Sequence, residues 1–410
     1  MDLHLQKSKL TNQKSLIQIT GSKSESNRLL LLQALFPKLY IENISNSDDS
    51  QLMTKALAST SNVIDIHHAG TAMRFLTAFF ATQAGRTIEL TGSKRMKERP
   101  IKILVEALNQ LGAKISYKEN EGYPPLIIQG KKLTKRQVNL KANVSSQYIS
   151  ALLLIAPTLE NGIELQLEGK ITSVPYINMT LSLLKQIGVE TTFIENTITV
   201  KPLKKTFKEN TNLIVESDWS SASYYYGIVA LCDVGTEIEL SSYKQDSLQG
   251  DSSLAEFYKS FGVETHFNNN TITLRKAEIV NTNTVINFDL ANSPDIAQTI
   301  SVTAFALGLE CNLTGLHTLK IKETDRLEAL KAEIEKLGGN VTITDDSLHL
   351  AVSKTIKEHI SIATYNDHRM AMAFAPLALQ IPVIIEDSEV VSKSYPTFWD
   401  DLKSIGFQFN

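Results

Sequence analysis

The sequence predicts an α/β protein of two similar halves, each built from three repeated α/β units. Three observations predict it. Four stretches share one pattern of amphipathic helix, glycine and short strand-like runs: IKILVEALNQLGAKISYKE from Ile101, TLSLLKQIGVETTFIENTITV from Thr180, SSLAEFYKSFGVETHFNNNTITL from Ser252 and LEALKAEIEKLGGNVTITDDSLHL from Leu327. The glycines that end these helices, Gly112, Gly188, Gly262 and Gly338, lie 76, 74 and 76 residues apart, a regularity that marks internal duplication. At 410 residues the chain also exceeds the size at which one core keeps growing, so two domains are expected.

The elements follow in order. The N-terminal MDLHLQKSKLTNQKSLIQIT has no long apolar run and an acid at position 2, unlike a signal or transit peptide. The first unit has a helix in SDDSQLMTKALAS but no glycine and hairpin before HHAGT, so it is shortened by roughly 20 residues relative to the others. Ile101, Leu104, Leu108 and Leu111 fall at helical spacing, as do Leu327, Leu330, Ile334 and Leu337, and mark buried stripes. Each following glycine suits the left-handed position just past a helix, and NTITV and NTITL read as strands. FWDDLKSIGFQFN is a last, cut-off copy, with Gly406 a further 68 residues on. A doubly wound nucleotide-binding sheet is not supported, because no GxGxxG follows any strand.

Composition narrows the function. Hydrophobic residues at 42% and charged residues at 21% exclude disorder. A formal charge of −3 gives no global attraction to nucleic acid or anionic membrane, so any anion handling is local. No stretch approaches a membrane span. Cys232 and Cys311 show neither CxxC spacing nor a disulfide framework and sit in or beside apolar runs, which suits core residues in a reducing cytoplasm.

One polar design recurs at the starts of apolar helices. In GSKSESNR, Ser22-x-x-Glu25 fits a capping box, whereas Lys23 and Arg28 oppose the macrodipole unless an anion sits between them; cap and anion socket both fit that stretch alone. A Walker A loop is absent. HHAGTAMRF puts Gly70 and Thr71 ahead of a helix with Arg74 one turn in, small residues that allow close backbone approach. His67 and His68 have no ligand partner at metal spacing and read as turn or core residues. KRMKERP carries Lys94, Arg95, Lys97 and Arg99; Lys97 and Glu98 read as solvated, and Arg95 at the loop-to-helix junction is the better oxyanion candidate. Ser145, Ser146 and Gln147 fit capping and ligand use equally, and SVPYINMT adds Ser173 and Tyr176.

The second half has its own set. Asp218, Ser220 and Ser221 open a helix, and Asp295 follows Pro294 at another start, where the dipole favours a carboxylate. Glu323 and Arg326 fit an ordinary surface pair at i, i+3, beside Lys322. Asp367, His368 and Arg369 stand before a wholly apolar helix, and Lys393 lies in VSKSYPTFW. Caps explain hydroxyls but not Lys23, Arg28, Arg95, Arg326 and Arg369 at these starts. Helix N-termini with Lys and Arg make an anion-selective site, and Asp295 and Glu323 within it are available for proton transfer. The socket reading wins.

Together GSKSESNR, AGTAMR, KRMKERP, SSQYISALL, KETDRL, YNDHRMAM and KSYPTFW, in order from residue 21 to 399, resemble the 5-enolpyruvylshikimate-3-phosphate synthases, members of the enolpyruvyl transferase family. The resemblance spans essentially the whole chain. It implies two domains of three similar α/β units, residues 22–215 and residues 1–21 with 216–410, closing on a ligand cleft between them as ligand charge relieves the repulsion among the cations. It also implies transfer of the enolpyruvyl group of phosphoenolpyruvate to the 5-hydroxyl of shikimate 3-phosphate, with release of phosphate. No metal or organic cofactor, no nucleic acid and no membrane is implied, and a cytoplasmic monomer is expected.

By the same resemblance, Lys23, Ser24, Arg28, Ser145, Ser146, Gln147, Ser173, Tyr176, Asp295 and Lys322 contact shikimate 3-phosphate. Lys23, Gly70, Arg95, Gln147, Arg326, Arg369 and Lys393 hold phosphoenolpyruvate. Asp295 and Glu323 are the proton-transfer residues: Glu323 is assigned to the methylene carbon, Asp295 to the 5-hydroxyl, and Lys23 to assisting phosphate departure. The chain departs from the family pattern at His67-His68 (usually Gly-Asn), Phe75 (Pro), Thr318 (Asn) and Val174 (Lys), which bears on the pocket around Gly70. The sister enzyme that acts on a UDP-amino sugar, UDP-N-acetylglucosamine enolpyruvyl transferase, has an Asn after the first-motif Lys and a loop Cys. Here Ser24 follows Lys23, and neither cysteine lies in such a loop. A non-catalytic paralogue is disfavoured by the full set of ionisable residues, and an RNA-end-processing enzyme by the lack of a basic surface.

Overall fold

Gly112, Gly188, Gly262, Gly338 and Gly406 all have left-handed φ, between 72° and 116°. At Gly112 the next N–H, of Ala113, reaches back to the Leu108 carbonyl at 3.0 Å, the bond that closes a helix end of this type. The computed structural model describes residues 1–141, 145–169, 171, 174–203 and 211–410. It contains two units, residues 21–215 and residues 1–20 with 216–410.

Each four-stranded sheet is wired the same way, a parallel pair followed by an antiparallel hairpin. In unit 21–215, Val63–Asp65 runs parallel to Thr87–Thr91, which pairs with Leu126–Gln129 and then Lys114–Tyr117. Gln137–Lys141 runs parallel to Ile163–Glu168, followed by Thr197–Val200 and Thr191–Ile194. The shortened first unit has only the parallel pair Thr211–Ile214 and Leu39–Glu42 among the described residues.

The other unit repeats the scheme. Lys14–Ile17, Glu237–Ser241, Thr271–Lys276 and Val263–Asn268 form one sheet. Val285–Asp289, Glu310–Thr314, Leu348–Leu350 and Val341–Ile343 form the next. In the third, Ile360–Ile362 runs parallel to Val383–Ile385, and the hairpin is assembled from far apart in the chain. Leu3–Leu5 pairs with Val383–Ile385, Leu5 bridges to Phe409, and the His4 N–H donates to the Asn410 carbonyl at 3.2 Å. The cut-off copy at the C-terminus is thus completed by the N-terminal strand.

Every repeat also contributes one inner helix; most are apolar nearly all round and so must be buried on all sides, while Lys23–Leu35 is polar up to Arg28 and apolar beyond it. In unit 21–215 these are Lys23–Leu35, Gly70–Thr82 and Ser146–Ile155, packed on one another. In the other unit they are Trp219–Leu231, Ala297–Ala306 and His368–Phe374. Side chains such as Leu152, Phe75 and Phe305 are fully buried, each contributing about 1.5–3 kcal/mol. The outer helices, among them Lys102–Gln110 and Arg326–Lys336, bury one face only.

One predicted helix differs. The stretch from Ser252 is a 3₁₀ turn Gly250–Ser253, one α turn Leu254–Phe257 and a second 3₁₀ turn Tyr258–Phe261. Tighter winding eclipses residues three apart and keeps Tyr258 and Phe261 on the buried side, where both are fully covered. Among the described residues no helix is long and apolar enough to cross a membrane.

Candidate active site

In unit 21–215 the capping box at the first inner helix does not form. Ser22 occupies the N-cap position without a side-chain cap bond, and the Gly70–Thr82 helix is preceded by Ala69, which has no side chain to offer one. Two of the three inner helices therefore present backbone N–H groups that no capping side chain occupies, the arrangement that binds oxyanions. The third is capped by Ser145, which accepts from the Gln147 N–H at 3.3 Å. The Gln147 amide in turn donates to the Thr71 hydroxyl at 3.2 Å, which brings the starts of the second and third inner helices together.

Arg28 is buried among neutral acceptors. Its Nε–H donates to Thr180 Oγ1 at 2.8 Å, Nη1 to the Ser24 carbonyl at 2.7 Å, and Nη2 to Ser150 Oγ at 3.0 Å and the Tyr176 carbonyl at 3.3 Å. Its guanidinium lies 5.4 Å from the centroid of Phe75, the residue that replaces the usual Pro. Burial lowers its pKa to about 10, so it stays charged at neutral pH. Arg28 fastens Ser24 and Tyr176 in place.

Gly70 has a cation directly against it. A Cβ at this position would meet Arg99 Nη1 at 2.5 Å, so only glycine leaves room for that guanidinium. Arg95, the oxyanion candidate of the same stretch, is about half exposed and pairs with Glu98 at 3.3 Å. Buried Arg74 braces the same corner, donating to the Gly70 carbonyl at 3.0 Å and the Pro100 carbonyl at 3.4 Å. Behind the cations sits Asp49, whose carboxyl burial raises against the pull of Lys23, Asn27, His68 and Arg99; Asn27 donates to it at 2.6 Å. His67 has φ 48°, consistent with a turn. Ser146 is buried, and Ser173 lies outside the described residues.

In the other unit one arginine gathers three acids. Arg326 donates from Nε to Asp367 Oδ2 at 2.6 Å, from Nη1 to Asp295 Oδ1 at 2.8 Å and from Nη2 to Glu323 Oε2 at 2.8 Å. Glu323 and Arg326 are no ordinary surface pair, since the Arg326 side chain is 2% exposed. Lys322 Nζ stands 3.3 Å from Asp295 Oδ1, and Arg369 Nη2 stands 3.4 Å from Asp295 Oδ2. Burial alone would raise the Asp295 carboxyl, but Lys322, Arg369 and Arg326 together hold it well below the usual carboxylate range. Asp367 accepts from the Arg369 N–H at 2.9 Å and so caps the helix that carries Arg369. Lys393 donates to the Asn366 carbonyl at 2.6 Å, on a loop where Tyr365 and Asn366 both have left-handed φ.

Of the residues predicted from sequence, Asp295, Lys322, Glu323, Arg326 and Arg369 meet around Asp295 and Arg326, and Arg28 meets Ser24 and Tyr176; Arg95 pairs with Glu98 and Lys393 with Asn366. Arg99, Asp49 and Asp251 escaped the sequence reading. Arg99 lay in a charge run with no periodicity to show which cation turns inward, and the two acids lay in polar stretches that read as surface. Both cysteines behave as core residues, with burial pushing each thiol up to about 12. Among the described residues no group of three His, Cys, Asp or Glu side chains is placed to hold a metal ion.

Known proteins bear on these clusters. The sequence pattern of the family described as EPSP synthase (3-phosphoshikimate 1-carboxyvinyltransferase) matches residues 57–402. A 3-phosphoshikimate 1-carboxyvinyltransferase of Bacteroides fragilis is 47% identical over 401 residues, 96% of each chain. One from Colwellia psychrerythraea is 36% identical over 418 residues, 95% of this chain and 96% of that one. In fold, the chain is similar to a solved EPSP synthase of Acinetobacter baumannii, with TM-score 0.80 and 20% identity over 100% of this chain and 99% of that one. It is also similar to the enolpyruvyl transferase NikO of Streptomyces tendae, with TM-score 0.74 and 13% identity over 100% and 98% of the two chains. On the family match and the extent of identity, the chain belongs to the EPSP synthase family, the 3-phosphoshikimate 1-carboxyvinyltransferases.

Proposed function

We propose that the protein transfers the enolpyruvyl group of phosphoenolpyruvate to the 5-hydroxyl of shikimate 3-phosphate and releases phosphate. The observation that carries the residue assignment is Asp295 ringed by Lys322, Arg326 and Arg369, with Glu323 on the same arginine. Both substrates carry a carboxylate and a phosphate, and this cation density matches that charge. Lys322, Ser24, Ser145, Ser146, Ser173 and Tyr176 serve shikimate 3-phosphate, with Arg28 holding Ser24 and Tyr176. Arg95, Arg326, Arg369, Lys393 and Gly70 serve phosphoenolpyruvate together with Arg99, and Lys23 and Gln147 serve both.

The cations keep Asp295 ionised but also make it a weak base in the empty site. An anion docking on Arg326 and Arg369 takes up part of their field, so Asp295 becomes more basic when substrate is present. Glu323 then protonates the methylene carbon while the 5-hydroxyl attacks the adjacent carbon and gives its proton to Asp295. The tetrahedral adduct returns a proton from the new methyl group to Glu323 and expels phosphate, which Lys23 assists and which carries off the proton held by Asp295.

The test is phosphate release by purified protein given phosphoenolpyruvate with shikimate 3-phosphate, and each alone. Release that requires both supports the proposal. Release with a UDP-amino sugar in place of shikimate 3-phosphate assigns the sister activity, and silence with both acceptors assigns a binding role.

A further inference from the structure

We propose that Asp251 and Ser220 form a buried relay that positions the Arg369 guanidinium and sets how strongly it draws an anion. This rests on the reading that Arg369 holds phosphoenolpyruvate. Asp251 lies in the 3₁₀ turn Gly250–Ser253 and is 3% exposed. The Ser220 hydroxyl donates to Asp251 Oδ2 and accepts from Arg369 Nη2 at 3.2 Å. The relay is rigid at both ends. Asp218 caps the Ser220 N–H at 2.8 Å, Gln249 Oε1 accepts from the Trp219 N–H at 3.0 Å, and the Ser253 hydroxyl donates to Ser293 Oγ at 3.2 Å, two residues before Asp295.

Asp251 Oδ1 is buried with no hydrogen-bond partner. It stands behind the substrate-binding cation, one hydroxyl removed from it. The charged groups that face it are Asp295 ahead of one inner helix, Arg369 at the start of another and Asp218 at the cap of the third. Burial and Asp295 push its carboxyl up to about 6, against the pull of Arg369 and the Ser220 bond. Above that pH Asp251 is charged and competes with the ligand for Arg369; below it the competition is removed.

The test is steady-state KM for phosphoenolpyruvate from pH 5.5 to 8 in wild type, Asp251→Asn, Ser220→Ala and Arg369→Lys. Asparagine can still accept from Ser220 but does not titrate. The ratio of its KM to that of wild type is expected near one at pH 5.5 and about three- to tenfold lower at pH 8, with KM for shikimate 3-phosphate moving by less than about twofold. A ratio that is the same at both pH values overturns the relay, as does an equal shift in KM for shikimate 3-phosphate. If Asp251→Asn does not fold, Ser220→Ala carries the test: with the bridge to Arg369 removed, its KM for phosphoenolpyruvate rises while that for shikimate 3-phosphate moves less than about twofold, and an unchanged KM for phosphoenolpyruvate or an equal rise in both overturns the proposal. Arg369→Lys separates the two levels, since an unchanged KM there removes the reading of Arg369 itself.

Discussion

Arg326 donates its Nε–H to Asp367 Oδ2 at 2.6 Å, and neither side chain is appreciably exposed. Because Arg326 also holds Asp295 and Glu323, one guanidinium fixes three acids contributed by separate segments. Replacing it with Ala leaves the buried Asp367 charge without its partner, and that kind of loss costs about 3–5 kcal/mol. Arg326→Ala is expected to lower the thermal midpoint sharply, and a change of only a degree or two would show that Asp367 is otherwise neutralised.

Gly70→Ala should separate binding from stability. The new methyl meets the far end of Arg99, a flexible side chain, so the fold yields with a change within about 1 kcal/mol. The displaced guanidinium raises KM for phosphoenolpyruvate by about tenfold or more. Arg99→Ala is expected to do the same, with the fold as little affected. An unchanged KM for phosphoenolpyruvate in Arg99→Ala would remove the assignment of Arg99.

Glu323→Gln keeps the size of the side chain and a hydrogen-bond acceptor for Arg326 but cannot shuttle a proton. Turnover is expected to fall by about 10²–10⁴-fold with KM for both substrates changed far less. Normal phosphate release by the Glu323→Gln protein would take Glu323 out of the proton path.

Asp295 gives a pH signature in stability. Its folded pKa is held below the unfolded value by Lys322, Arg369 and Arg326, which outweigh its burial. Its ionised form therefore stabilises the fold above about pH 4, and that contribution is lost as pH falls through the folded value. In urea unfolding, the difference between wild type and Asp295→Asn is expected to be constant from about pH 8 to 5 and to narrow below about pH 4. A difference that grows on acidification would reverse the sign of the argument.

Much of this was legible in the sequence, for reasons that differ by element. The repeat showed through its glycines because a left-handed residue past a helix end leaves little choice of side chain. The polar starts of the inner helices stood out because an apolar run follows each of them, so core packing gives Lys23, Asp295 or Arg369 no reason to be there. Arg99 was hidden, since nothing along KRMKERP says which cation meets Gly70. Asp49 and Asp251 were hidden too, because their burial is created by segments distant in sequence. Ser22 and Glu25 have the spacing of a capping box, but spacing alone does not bring the hydroxyl onto the helix end. The break in the Ser252 stretch came from aromatic packing around Phe257, which stacks on Phe288 at 4.5 Å, a contact no local pattern encodes.

The sheet that joins Leu3–Leu5 to Val383–Ile385 and Phe409 has a consequence for how the chain is made. All strand pairs of residues 21–215 lie within that segment, so it can fold while the ribosome is still translating the second half of the chain. Leu3–Leu5, by contrast, leaves the ribosome nearly 380 residues ahead of its partner strand. It therefore waits through synthesis of the intervening chain before it can pair, and that long loop closure slows folding in the unit that carries Asp295 and Glu323.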